Sequence, residues 1–374
     1  MLDARQFTVA FTSRGIRFFT GVPDSLLKEF CAYVMRELPA DQHIIAANEG
    51  GSVGLAIGHF LATGSPALVY MQNSGFGNAI NPLLSLADPD VYGIPMLLLV
   101  GWRGKPGDKD EPQHVKQGRV MTQMIEAMEL PWSILPKDQV AADACVAAAL
   151  NTALERSTPF VLLVDKDTFA PAGSLSDHWN IDSPSREEAL IALLDAVGSK
   201  AIFTATTGML GRELYERRAA QCDTQARDFL TIGGMGHNCS VAAGIALQNP
   251  DKEVWCLDGD GSLLMHMGSM AVIAQAAPKN LFHVVFNNGV HDSVGGQPTA
   301  VRSIDVPSAA KAAGYLDAFS AGSRAEISRA VGTMHQRGGP ILLDIKVKPG
   351  NRPGIGRPKE TPVQAKQAFM QGDA

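Results

Sequence analysis

The apolar positions of this chain fall into short blocks divided by polar breaks that carry glycine or proline. Met96 to Val100 and Phe160 to Val164 are continuous apolar runs bounded by turn formers, the pattern of strands buried on both faces. The segments 16–20, 43–47, 66–71, 201–204, 253–257 and 281–286 read the same way. Between them lie stretches with helical spacing: 3–14, 26–37 with Ser25 as its cap, 52–63, 80–87, 140–157, 186–197 and 262–276. Strands alternating with helices predict parallel βαβ units. The expected fold class is therefore α/β, with parallel sheets flanked by helices.

Two breaks are longer than the rest. Residues 101–119 are polar and punctuated by Gly and Pro, and a connection of that length in a compact domain is usually functional or disordered. Trp102 and Pro112 interrupt its charges, which favours a functional loop. Residues 170–185, with Pro171, Gly173 and Pro184, read as a linker. The resulting division is 1–172 for the first domain, 173–187 for the linker and 188–374 for the second. The two halves echo each other. "ERSTPFVLLVDK" at 155–166 pairs with "QRGGPILLDIKV" at 336–347, and "NEGGSVGLAIGHFLATG" with "GGMGHNCSVAAGIALQNP". Both pairs are offset by about 180 residues, which points to two copies of one fold.

Composition narrows the class. A hydrophobic share of 45% and a mean hydropathy of +0.02 fit a soluble globular chain. The formal charge of −6 gives no reason to expect nucleic acid as a partner, and an anionic substrate would have to meet local cations. Cys31, Cys145, Cys222, Cys239 and Cys256 are scattered and form no CxxC pair, so reduced thiols in a cytoplasmic enzyme are expected. The N-terminus lacks the layout of a signal peptide, and no apolar run spans a bilayer.

Polar residues collect where the expected strands end, which is where open parallel sheets bind ligands. Gly259-Asp260-Gly261-Ser262 follows one strand and Asn287-Asn288 follows the next. Asp260 and Asn288 offer oxygen ligands suited to Mg²⁺, while the glycines allow close backbone approach. Each pair taken alone is an ordinary turn. Thr206-Thr207-Gly208 ends the first strand of the second half, as a phosphate-binding turn or a plain loop. Met235, between Gly233-Gly234 and Gly236, is a core side chain or an exposed wedge. Glu49, in an apolar stretch, is a functional carboxyl or a helix-terminal residue favoured by the dipole. Asp24 and His114 are the candidate acid–base groups.

At the spacing found here, the chain resembles the short thiamine diphosphate-dependent 2-oxoacid decarboxylases over nearly its whole length. The stretches that carry the resemblance are "GVPDSLLKEF" (21–30), "YMQNSGFGNAINPLLSLADPDVYGIPMLLLVGWRGKPGDKDEPQHVKQGR" (70–119), "NNGVHDSVGGQPT" (287–299) and "GRPKETPVQAKQAFM" (356–370). The resemblance implies two Rossmann-like domains, pyrimidine-binding then diphosphate-binding, with no middle domain. It implies thiamine diphosphate and Mg²⁺ as cofactors, with Asp260, Asn288 and the Val290 carbonyl on the metal. Thr206, Thr207, Gly208, Gly234, Met235, Gly259, Gly261 and Ser262 would cradle the cofactor, Glu49 would activate it, and Asp24 would act as the acid and meet the substrate. Pyruvate decarboxylase-like enzymes carry a His-His pair where this chain reads Trp102-Arg103-Gly104, and a cation there suits a second anionic group on the substrate. Arg103 is accordingly a substrate-binding candidate. The implied reaction is decarboxylation of 3-phosphonopyruvate to phosphonoacetaldehyde in phosphonate biosynthesis, with sulfopyruvate as the alternative acid. A nicotinamide oxidoreductase would need GxGxxG, and neither Gly-x-Gly here has the third glycine. The family also implies a homo-oligomer whose active site is shared between subunits.

Overall fold

The computed structural model describes residues 1–171, 173, 179–221 and 227–371. The chain forms two compact units, Met1–Ser176 with Ser293–Gln297, and Asp177–Asp292 with Pro298–Ala374. The first holds strands β1 (Phe19–Gly21), β2 (His43–Ile45), β3 (Leu68–Gln72), β4 (Met96–Gly101), β5 (Trp132–Ile134) and β6 (Pro159–Val164). They form one parallel sheet in the order β2-β1-β3-β4-β6-β5. The second holds β7 (Ile202–Ala205), β8 (Arg227–Leu230), β9 (Val254–Gly259), β10 (Leu281–Asn287), β11 (Asp317–Ala321) and β12 (Ile341–Lys346). Their order is β8-β7-β9-β10-β12-β11, again parallel. Counted from the first strand of each unit, the two orders are the same. The echoing segments fall on equivalent elements: 155–166 spans β6 and 336–347 spans β12, while the other pair covers the helices leading into β3 and β9.

Burial on both faces explains the unbroken apolar strands. In β4, Leu97 and Leu99 pack with Phe7, Phe11 and Phe30, while Met96, Leu98 and Val100 face Phe76 and Met121. In β10, Phe282, Val284 and Phe286 serve one core and Leu281 and Val285 the other.

Several boundaries differ from the sequence reading, for local reasons. β1 begins at Phe19 because the Ile16 amide still donates to Phe11 O, closing the first helix (Ala4–Thr12). The next helix starts at Lys28, and Ser25 does not cap it: Asp24 takes the Leu26 amide and Ser25 accepts from Arg103. The third helix starts at Glu49 because Asn48 caps it through the Gly51 amide. Instead of one helix over 80–87, a helix covers Phe76–Pro82 and a π turn Leu83–Ala87. The 101–119 loop stops at Glu111, since Pro112 opens the helix Pro112–Ala127, a position where its missing N–H is harmless. The helix expected over 262–276 divides into Asp260–Met265 and Ser269–Ala276. β5, β8 and β11 lie in segments the hydropathy pattern left without an element. Ser185, inside the expected 173–187 linker, forms a capping box with Glu188 that starts Arg186–Val197. Residues 174–178 of that linker, and Cys222, lie outside the described residues. The other four cysteines are free thiols, Cys145 half-buried and the rest buried. Among the described residues no helix is long and apolar enough to cross a membrane.

Candidate active site

In the first unit, the polar residues that follow β1, β2, β3 and β4 gather at the carboxyl edge of the sheet. Gln72 and Gly101 are register partners at the ends of β3 and β4. Asp24 is fully buried; Gln72 Nε2 donates to its Oδ1 at 2.5 Å and the Leu26 amide to its Oδ2 at 3.1 Å. Gln72 is itself oriented by Ser74 Oγ, which donates to Oε1 at 2.6 Å. Burial pushes the Asp24 carboxyl up, opposed by the Gln72 hydrogen bond and the Arg103 charge. A Cβ at Gly101 would overlap that carboxyl, so the glycine there makes room for it.

Glu49 is the first residue of its helix and is only 4% exposed. Asn78 Nδ2 donates to its Oε2 at 2.8 Å, while burial pushes the carboxyl up. Gly75 leaves the notch that the carboxyl fills: a Cβ there would collide with it. Asn73 holds the Arg103 backbone in both directions, donating to its carbonyl at 2.9 Å and accepting its amide at 3.1 Å. Each member of Gln72-Asn73-Ser74-Gly75 thus has a separate task.

The Arg103 guanidinium is held by Asp110, at 2.8 and 2.5 Å, and donates to Ser25 Oγ at 2.8 Å. Burial opposes ionisation of Asp110, but Arg103 and the Glu111 and Gly104 amides hold it well below the usual carboxylate range. His114 lies in the first turn of its helix with Nδ1 buried and without a hydrogen bond. Burial, and then the Arg103 charge, lower its pKa, so it is neutral near pH 7. Arg103 is the charge that Asp24 and His114 share. Gln72→Leu removes a bond that favours ionised Asp24, so the limb of the kcat/KM pH profile set by Asp24 moves to higher pH. An unmoved limb would detach Asp24 from that profile.

In the second unit, Ser262 Oγ joins three loops. It accepts from Thr206 Oγ1 at 3.0 Å and the Gly236 amide at 3.1 Å, and donates to Asp258 Oδ1 at 2.8 Å. Asp258 Oδ2 meets His283 Nε2 at 3.1 Å, and His283 Nδ1 meets Tyr315 at 3.2 Å, a buried polar layer beneath the loops. Thr207 donates to Ile232 O, and Gly208, at φ 109°, is the cap of the helix Met209–Ala220. Gly234 is at φ 63°, and the Met235 methyl and the His291 ring both lie against Gly261.

Asp260, on the β9 end beside Gly259, is 3% exposed. Thr299 Oγ1 donates to it at 2.5 Å, yet burial pushes its carboxyl up to about 7. Among the described residues no cation pairs with it. Asn288, after β10, presents Oδ1 to the Val290 amide at 3.1 Å and donates Nδ2 to Asp292 at 2.7 Å. A buried carboxylate without a counter-charge among the described residues, and an amide oxygen following the neighbouring strand, are donors suited to a hard divalent cation. Each unit carries its own group of the expected residues. The partners Asn78, Asp110, Thr299 and Asp292 were not foreseen; all but Asp292 act through bonds that no local spacing announces.

The two units match known families. Residues 4–128 match the N-terminal TPP binding domain of thiamine pyrophosphate enzymes, and residues 208–345 match their C-terminal TPP binding domain. The chain is a thiamine pyrophosphate enzyme. It is 34% identical over 384 residues to the phosphonopyruvate decarboxylase of Streptomyces viridochromogenes, covering 99% of this chain and 94% of that one. The phosphonopyruvate decarboxylase of Streptomyces hygroscopicus is also 34% identical, over 386 residues with the same coverage. A sulfopyruvate decarboxylase of Methanosarcina acetivorans is 27% identical over 380 residues, covering 96% and 94%. Within that class, the chain belongs to the phosphonopyruvate decarboxylase family.

Proposed function

We propose that this decarboxylase uses thiamine diphosphate and Mg²⁺ to convert 3-phosphonopyruvate into phosphonoacetaldehyde and carbon dioxide, a step in phosphonate biosynthesis. The full-length similarity to two phosphonopyruvate decarboxylases supports the substrate. The observation that carries the chemistry is Glu49, a buried carboxyl in the notch left by Gly75, to which the Asn78 amide donates and with which no cation pairs among the described residues. Bound thiamine diphosphate supplies the electron sink for loss of carbon dioxide. Glu49, biased towards its protonated form, hydrogen-bonds a nitrogen of the aminopyrimidine and exchanges a proton there. Asp260, Asn288 and the Val290 carbonyl hold the metal. The backbone around Thr206–Gly208, Gly234 and Gly259–Ser262 would receive the diphosphate, with Ser262 tying those loops together, and Met235 would be the wedge against the cofactor.

Asp24, whose carboxyl burial pushes up, orients the substrate and passes a proton to the product carbon. Neutral His114 is a second proton carrier. Arg103 is the cation for the phosphonate, which must then compete with Asp110 for the guanidinium. Arg352, a further cation near the C-terminus, is already committed to Glu187 and Glu216.

The site is shared between subunits of a homo-oligomer. Leu55 and Leu61 are 38% and 70% exposed on the helix that starts with Glu49, and Leu84 and Leu86 are exposed nearby in sequence. Exposed leucines on these elements support burial against a second copy. The test is Mg²⁺- and thiamine diphosphate-dependent carbon dioxide release from phosphonopyruvate, sulfopyruvate and pyruvate, with sedimentation of the same sample. Phosphonopyruvate is expected to have the highest kcat/KM, with a particle of at least two chains. Preference for sulfopyruvate would move the reading to that acid, and a fully active monomer would remove the shared site.

A further inference from the structure

We propose that Asp292 is a positioning residue for the metal: it fixes which end of the Asn288 amide faces the ion. This rests on the reading of Asp260 and Asn288 as metal ligands. A side-chain amide has one end that can ligate a cation and one that cannot, and the two are nearly the same shape. Something must therefore choose between them. A carboxylate only accepts hydrogen bonds, and Asp292 Oδ2 takes Asn288 Nδ2 at 2.7 Å. Oδ1 is thereby turned the other way, towards Val290.

Asp292 is itself held in place. Both of its oxygens accept from the Gly350 amide, at 3.1 and 3.0 Å. Arg186 reaches it at 3.5 Å, while that guanidinium is fixed by Glu213 at 2.8 and 2.9 Å. Arg186 and Glu213 are both buried and satisfy one another, so Asp292 is not needed as the main counter-ion of Arg186. Its shortest bond is the one to Asn288.

Groups that orient metal ligands typically change affinity about 10–100-fold when removed. The experiment is Mn²⁺ binding followed by electron paramagnetic resonance, with thiamine diphosphate present, in the full chain. Wild type, Asp292→Ala, Asn288→Ala and the double variant are compared, with thermal melts on each. Asp292→Ala is expected to weaken Mn²⁺ binding about 10–100-fold, and to have no further effect once Asn288 is Ala. Asp292→Asn, which keeps the shape and one accepting oxygen, serves if the Ala variant does not fold; a smaller loss in the same direction is expected. Unchanged affinity in the variant that folds would overturn the proposal, as would an equal loss with and without Asn288. Wild type that binds no Mn²⁺ would instead overturn the metal reading on which the proposal rests.

Discussion

Glu49→Gln is expected to lower kcat for decarboxylation by roughly 10²–10⁴-fold, the usual contribution of a placed proton-transfer group. The substitution keeps size and shape and can still accept from Asn78, so the first unit should melt as before. What it loses is a proton that can come and go. Burial already biases Glu49 towards the protonated carboxyl, the state that donates to a ring nitrogen. The glutamine amide can donate but cannot then act as the conjugate base. Gly75→Ala should copy the defect without touching a titratable group, because a Cβ at 75 takes the space the carboxyl occupies. Steady-state kinetics at saturating cofactor, beside circular dichroism, separate loss of chemistry from loss of fold. Full turnover by the Gln variant would remove Glu49 from the reaction.

The second large effect is at Asp260. Asp260→Asn is expected to abolish Mg²⁺-dependent activity, and the wild-type pH behaviour gives an independent check. In metal-free protein, burial raises this carboxyl to about 7 from an ordinary value near 3.8. A raised acid contributes stability that is fully present below its unfolded pKa and is lost as pH rises through the folded one. The metal-free melting temperature should therefore fall between about pH 4 and 7. Because the ligand must be ionised, Mg²⁺ binding should release a proton in that window and weaken about tenfold per unit of pH below 7. In Asp260→Asn, both the pH slope and the stabilisation by Mg²⁺ should shrink. Melts at several pH values, with Mg²⁺ and with chelator, measure this. A wild-type curve unchanged by either would contradict the assignment.

Much of this was legible before the fold was known, because parallel strands buried on both faces leave runs such as 96–100 that stand out from their surroundings. The equal offset of the echoing segments anticipated the repeated strand order. Asp260, Asn288 and Glu49 were legible as polar residues at strand ends. Other features depended on distant partners. Ser25 has the look of a cap, yet its hydroxyl serves Arg103, 78 positions away. Arg103 itself reads as a free cation in a polar loop, but Asp110 folds back and occupies most of its guanidinium. Pro112 punctuates what reads as a loop and in fact begins a helix. In the buried Asp258–His283–Tyr315 layer, Asp258 and His283 lie on strands whose pattern is otherwise apolar and Tyr315 lies just before β11, so nothing marked it as a unit.

The common strand order has a consequence for when the enzyme can work. One backbone plan is used twice, and each copy buries a carboxyl at a strand end, yet the proposed roles ask different things of the two carboxyls. In the proposed roles Glu49 needs a proton it can give and take back, and Asp260 must hold the metal with its proton off. Acidification would disable the second half first, and alkali the first half. The working pH range is therefore an overlap between two demands, and each half can be tuned separately because its carboxyl answers to neighbours in its own sheet.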